Sequence, residues 1–151
     1  MKKIFKKIDH WMVSEMLQWG IPLLRVTLGI VFIWFGLLKI LDESPVKMLI
    51  SDAYPFLPLQ AFLLILGIWE VVIGIGLLTK RAPRITIGLL WLQMIGVFMG
   101  PLLLPHYFFQ YSNPFFLTMY GEFVIKNIVF LSASLVIGGH IVKQMQAGAK
   151  S

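Results

Sequence analysis

Five ionisable side chains fall inside long apolar stretches of this 151-residue chain, where a charge is costly and normally marks a functional group. Side chains of this kind can relay protons or hold the polar head of a lipophilic ligand. They can also pair with one another and do no more than fix how helices pack, and that alternative stays open. The ionisable residues are Arg25, Lys39, Glu70, Glu122 and Lys126, and the amides Gln93 and Asn127 lie in the same stretches.

Chemistry that needs thiols or clustered histidines has no support in the sequence. The chain contains no cysteine, which excludes thiol–disulfide exchange, iron–sulfur clusters and cysteine-bound metals. His10, His106 and His140 lie in three different segments, and no two have the spacing that places metal ligands on one helical face. We therefore expect no metal site, and no nucleophile–base motif is visible.

The composition determines which elements must position these groups. Hydrophobic residues make up 58% of the chain and charged residues 13%, whereas soluble domains are about half apolar and about a quarter charged. A soluble core of this size could not cover so much apolar surface. Four segments are long enough to cross a bilayer as helices, at about 22–41, 59–78, 85–104 and 118–142. The sequence predicts one domain, residues 1–151, folded as an all-α integral membrane four-helix bundle.

The basic residues indicate the orientation of these spans. Only Lys47 lies in the first connection, beside three acidic residues, and the third connection has no Lys or Arg. Because cytoplasmic segments carry the excess of Lys and Arg, both termini are predicted to be cytoplasmic, in a bacterial-type inner membrane. The net charge of +6 then reflects topology, and no nucleic-acid partner is expected. The nine cations at the other membrane side are Lys2, Lys3, Lys6, Lys7, Lys80, Arg81, Arg84, Lys143 and Lys150.

Two further segments each allow two interpretations. Apolar residues of the segment 4–19 recur at three- and four-residue steps, typical of an amphipathic helix in the membrane interface. The alternative is a cytoplasmic extension of the first span. The aromatic stretch from Pro101 to Tyr120 fits either an aromatic belt at the membrane surface or the mouth of a pocket for a lipophilic ligand.

Glycine spacing predicts which spans pack closely. Gly29 and Gly36 in the first span, and Gly67 and Gly74 in the second, each repeat at a seven-residue step. Small residues let transmembrane backbones approach, so these two spans are predicted to pack together. A weaker small-residue pair, Gly96 and Gly100, lies in the third span.

Depth along the spans suggests how the charges pair. Arg25 is predicted to pair with Glu70, and Lys39 with Glu122. Lys126 lies one turn from Glu122 and can interact with it within the helix. Three cations face two anions, so one cation is left for a loop carboxylate or a ligand. A quinone carbonyl, a carboxylate or a lipid phosphate would serve as its acceptor.

Three of these segments resemble a known family. They read RVTLGIVFIWFGLLK (25–39), LGIWEVVIGIGLLT (66–79) and GEFVIKNIVFLSASLV (121–136). They are similar to the DoxX-like family of small four-helix membrane proteins, which includes relatives of a thiosulfate:quinone oxidoreductase subunit. The resemblance spans about residues 22–139 and implies a link to membrane quinone. Its family-like positions are Arg25, Gly29, Gly36, Lys39, Glu70, Glu122, Lys126 and Asn127.

The resulting hypothesis is a DoxX-like subunit that binds a quinone, or a similar lipophilic redox molecule, inside the bundle. Lys39 and Lys126 would contact the head group, Glu70 and Glu122 would orient those cations or relay protons, and Arg25 would anchor Glu70. Gln93 and the external aromatics would line the entrance. Since the chain has no cysteine, a bound quinone or a partner subunit would have to carry electrons. Alternatives are a non-enzymatic scaffold or assembly partner and, less favoured, a small proton-coupled transporter acting as an oligomer.

Overall fold

The described part of the chain, residues 2–53, 55–56 and 58–148 of a computed structural model, is almost entirely helical. Within it, the only extended pairing is one bridge between Phe109 and Leu117, so the all-α prediction is confirmed. Lys150 lies outside the described residues, as do the side chains of Lys2 and Lys3. The helices are α1 (Lys2–Ile40), α2 (Lys47–Ala53), α3 (Leu59–Thr79), α4 (Pro83–Leu103), α5 (Pro105–Phe108) and α6 (Met119–Gly148), with a 3₁₀ turn at Gln110–Ser112.

Four of these helices, α1, α3, α4 and α6, are long and apolar enough to cross a membrane. Both α3 and α4 contain 21 residues, which at about 1.5 Å per residue matches a hydrocarbon core of about 30 Å. The four predicted spans are therefore confirmed, and the fold is that of a multi-pass membrane protein. We call the end of the bundle that carries α2 and α5 the loop end. The opposite end, with the α3–α4 connection, is the terminal end.

The first helix is much longer than a single span. It contains 39 residues without a break at Pro22, about 58 Å of helix. The segment 4–19 is thus continuous with the first span, as in the alternative of an extension. Its side chains from Lys6 to Gly20 are mostly exposed, including Trp11, Met16 and Trp19, because this part of α1 projects beyond the bundle.

Four glycines join α1 to α3 in an antiparallel pair. Gly29 lies against Gly74 and Gly36 against Gly67, so that a Cβ built on Gly74 would be 2.6 Å from the Gly29 carbonyl oxygen. A side chain at any of these positions would push the two backbones apart. The predicted packing of these two spans is confirmed.

The small-residue pair of the third span behaves differently. A Cβ built on Gly96 would meet no atom within 4 Å, and one on Gly100 would meet the Phe108 ring of α5. Gly96 and Gly100 therefore mediate no contact between long helices. The sequence pattern could not distinguish them from the other glycines, because a small residue permits close approach but does not require it.

The interior of the bundle is packed in one half and hollow in the other. Each long helix contributes to a continuous apolar core in the terminal half, around the fully buried Ile73, Leu90 and Ile137. The core comprises Leu28, Phe32, Ile73, Leu77, Ile87, Leu90, Met94, Ala133, Ile137 and Ile141.

Replacing Gly74 by alanine tests the α1–α3 contact. The added methyl group collides with backbone, so Gly74→Ala is expected to cost about 1–3 kcal/mol of stability. Gly139→Ala is the matched control, since a Cβ at this helical glycine meets nothing within 4 Å. Thermal unfolding in detergent should separate the two variants, and equal midpoints would contradict the contact.

Candidate functional site

The hollow half of the bundle contains a cavity of about 650 Å³. This volume lies within the range of about 300–1,000 Å³ typical of small-molecule sites. Its charged and amide side chains are Lys39, Glu70, Gln93 and Asn127, one from each long helix. The rest of the wall is mostly apolar and rich in aromatic rings, two of which, Trp69 and Tyr120, also carry a polar atom. The rings are those of Phe32, Phe35, Phe62, Trp69, Phe108, Tyr120, Phe123 and Phe130.

Glu70 is the centre of a buried polar network on the cavity wall. One carboxylate oxygen accepts a hydrogen bond from the Lys39 ammonium at 2.6 Å, and the other accepts one from the Gln93 amide, also at 2.6 Å. The Lys39 and Glu70 side chains are only 9% and 8% exposed. A buried ion pair stabilises the fold only if well-formed hydrogen bonds offset the cost of removing both charges from water, and the hydrogen bonds of this pair are well formed.

The predicted pairing of Glu70 with Arg25 is wrong, and the glycine register explains why. Because Gly36 faces Gly67 and α1 is antiparallel to α3, Glu70 lies level with Ile33. Lys39 then lies about 9 Å from the level of Glu70 toward the loop end, and Arg25 lies about 12 Å from it toward the terminal end.

The direction of the side chains adds to this difference in height. Side chains lean toward the N-terminus of their own helix, so those of Lys39 and Glu70 lean toward each other. The side chain of Arg25 leans away from Glu70. This signal was available from the sequence, since the matching seven-residue glycine steps define the register.

Arg25 instead caps the C-terminal end of α3. Its guanidinium donates to the carbonyl oxygens of Leu77 and Leu78, the second at 2.9 Å. The last carbonyls of a helix lack partners within the helix and carry partial negative charge. Arg25 is therefore the surplus intramembrane cation, and backbone dipoles compensate it where a carboxylate or ligand was expected.

Glu122 and Lys126 lie outside the cavity. The predicted Lys39–Glu122 pair is wrong, because Lys39 is engaged by Glu70. Glu122 accepts from Lys126 at 3.1 Å across one helical turn, as predicted, with side chains 60% and 74% exposed. Asn127 faces the cavity from the same helix and donates to the Phe123 carbonyl oxygen at 3.0 Å.

The aromatic stretch between α4 and α6 divides its side chains between two environments. Phe108 is buried and lines the cavity together with Leu104 and Tyr120. Tyr111 and Phe115 point outward and are about nine-tenths exposed. Phe108, Leu104 and Tyr120 thus fit the interpretation as part of a pocket, and Tyr111 and Phe115 fit the interpretation as an aromatic belt at the membrane surface.

The cavity offers donors and an acceptor to an amphiphilic molecule. An ammonium group has three N–H donors, and among the described residues Lys39 donates one of them to Glu70. The Gln93 side-chain oxygen is buried and accepts from no group in the described part of the chain. A flat polar head could bond these atoms while the surrounding rings contact its faces. The wall has no thiol for redox chemistry of its own.

Fold and site together define an all-α four-helix membrane bundle with an amphiphilic interior cavity. Comparison of the chain with protein-family models, with curated proteins and with solved structures gave no match.

Removing one partner of the buried pair tests the network. Lys39→Met is expected to lower the free energy of unfolding by about 3–5 kcal/mol, because it leaves the Glu70 carboxylate unpaired inside the bundle. Lys126→Met is the matched control at the exposed pair, which lies in the first two turns of α6 at the loop end, and it should cost less than about 1 kcal/mol. Unfolding in a detergent titration measures both, and similar losses would show that burial of the Lys39–Glu70 pair is not decisive.

Proposed function

We propose that this protein binds the head group of a quinone-class lipid in the cavity beside Lys39, as a DoxX-like, quinone-associated redox subunit. The observation that carries the proposal is that the charged and amide side chains of the cavity form one small set, surrounded by apolar side chains and aromatic rings. The head group of a quinone likewise has a few polar atoms in apolar surroundings, since its hydrogen-bonding oxygens lie on a flat apolar ring.

The donors and acceptors of the wall fit such a head group. Lys39 would donate to a quinone oxygen while Glu70 holds the ammonium in place from the other side. Gln93 and Asn127 would supply further hydrogen bonds, and Phe or Trp rings would contact the ring faces. The bound quinone supplies the redox chemistry, and a partner subunit would exchange electrons with it.

Two other functions fit the observations less well. A proton-coupled transporter needs a polar path across the bundle, whereas the terminal half is filled by aliphatic side chains around Ile73 and Ile137. A scaffold whose ion pairs serve only packing would not need a hollow half with a charged wall. It remains the second candidate, because the Lys39–Glu70 pair also joins α1 to α3.

Quinone extraction tests the proposed ligand directly. The protein, purified in mild detergent from quinone-rich membranes, should release about one quinone per chain into organic solvent. Repeated absence of quinone from well-folded preparations would exclude the proposal.

A double variant separates ligand binding from packing. Lys39→Met combined with Glu70→Gln removes both charges and keeps a hydrogen-bond acceptor for Gln93, so stability should return toward wild type. The double variant should nevertheless contain less than about a tenth of the wild-type quinone. Wild-type quinone content in this stable variant would favour the scaffold.

The proposed topology places both termini in the cytoplasm of a bacterial-type cell, with the loop end outside. It rests on the cations that flank the terminal end, such as Arg81, Arg84 and Lys143.

Because the chain lacks cysteine, single introduced cysteines can test this orientation. In intact cells, a membrane-impermeant maleimide should label Ser51→Cys in α2. It should label Gln146→Cys in α6 only after the cells are broken. The reverse pattern would invert the topology.

A further inference from the structure

The cavity has four side walls, formed by the seams between neighbouring long helices, and three of these seams are bridged by contacts at the level of the cavity. The α1–α3 seam is sealed by the glycine contacts at Gly36 and Gly67. The α1–α6 seam is spanned by two tilted ring pairs, Phe32–Phe130 and Phe35–Phe123, with centroids 5.8 Å and 6.0 Å apart.

Phe108 closes the third seam, between α4 and α6. A Cβ built on Gly100 of α4 would lie 3.0 Å from the Phe108 ring. On the α6 side, the Phe108 backbone lies directly against Gly121. The loop end is also covered, because Leu49 and Ile50 of α2, with Val46 just before it, line the cavity there.

The fourth seam, between α3 and α4, is closed only in its deeper part. There the Trp69 indole N–H donates to the Leu89 carbonyl oxygen at 3.2 Å, and Gln93 donates to Glu70. Closer to the loop end, the α3 edge of the cavity is Ile65, whose side chain lines the cavity and is also 63% exposed.

The facing edge of α4 is open in the same way. Met99 and Leu103 line the cavity and are about half exposed. Gly96 lies seven residues after Leu89 and so shares its face of α4, toward α3. It lines the cavity, and a Cβ at this position would meet nothing within 4 Å.

From these contacts we infer that the cavity opens sideways into the bilayer between α3 and α4, and that the ligand is a long-tailed membrane lipid whose hydrocarbon tail leaves through this opening. The inference rests on the proposed quinone function and narrows it to prenylated quinones, as opposed to small soluble aromatics. The edge of the opening, formed by Ile65, Met99 and Leu103, is wholly aliphatic or thioether and would face lipid. Such an edge suits a hydrocarbon chain and would not bind a polar solute.

The head and the tail then occupy different parts of one site. The polar head lies at Lys39, Glu70 and Gln93, which form the floor at the closed part of the seam. The tail passes Gly96, where the absence of a side chain leaves room for it. A ligand could exchange with the bilayer through this opening without moving α2 or α5.

Photolabelling of the wild-type protein in lipid nanodiscs tests this path. The probe is a ubiquinone analogue with a diazirine on its first prenyl unit. Labels competed by excess unmodified ubiquinone are expected on α3 and α4, at peptides containing Ile65 or Met99. Competed labels on α2, or on the α1–α6 seam, would overturn the lateral opening while leaving the quinone function in place. Failure of the protein both to release extracted quinone and to give any competed label would overturn the quinone function itself.

A pair of glycine variants provides a second measurement. Gly96→Phe should place a ring in the opening and weaken binding of the long-tailed quinone at least tenfold. Gly88→Phe is the matched control, because this exposed α4 glycine also has open space around a Cβ but does not line the cavity. It should leave affinity within about twofold of wild type. With unfolding midpoints of both variants near wild type, equal affinities of the two variants would overturn the inference.

Discussion

The contact between α1 and α3 is the constraint on which the rest of the structure depends. Four glycines at matching seven-residue steps bring the two backbones together and allow one antiparallel register. In that register Lys39 reaches Glu70, and Arg25 reaches the free carbonyls at the end of α3. Since charges within hydrocarbon must find partners, the same register also decides which cations can be tolerated.

The two ends of this helix pair differ in chemistry, and the difference shapes the whole bundle. At the terminal end, Arg25 compensates a helix terminus, and aliphatic side chains from all four long helices fill the interior. Toward the loop end, aromatic and aliphatic side chains line a cavity, with Glu70 and its partners on the wall. The packed half brings the four long helices together at one end of the cavity.

Individual residues show what could be predicted before the structure. The four spans followed from the length of apolar segments, and the Glu122–Lys126 pair from one-turn spacing. Depth measured from the span ends does not predict the partner of Glu70, because the pairing also depends on the direction in which each side chain leans. Gly96 and Gly100 have the same kind of spacing as glycines that pack helices together. In the structure Gly96 lines the cavity and Gly100 lies against the Phe108 ring.

By itself the sequence determined the number of apolar spans, their approximate lengths and the α1–α3 contact. These properties depend on local composition and on spacing within one helix, since a helix in hydrocarbon satisfies its own backbone. The tertiary structure alone decided which seams close and where the interior is hollow. Closure of a seam depends on side chains from two helices meeting at one height, as Trp69 meets Leu89 and Phe108 meets Gly100. No single segment contains that information, because it arises only when the helices are placed side by side.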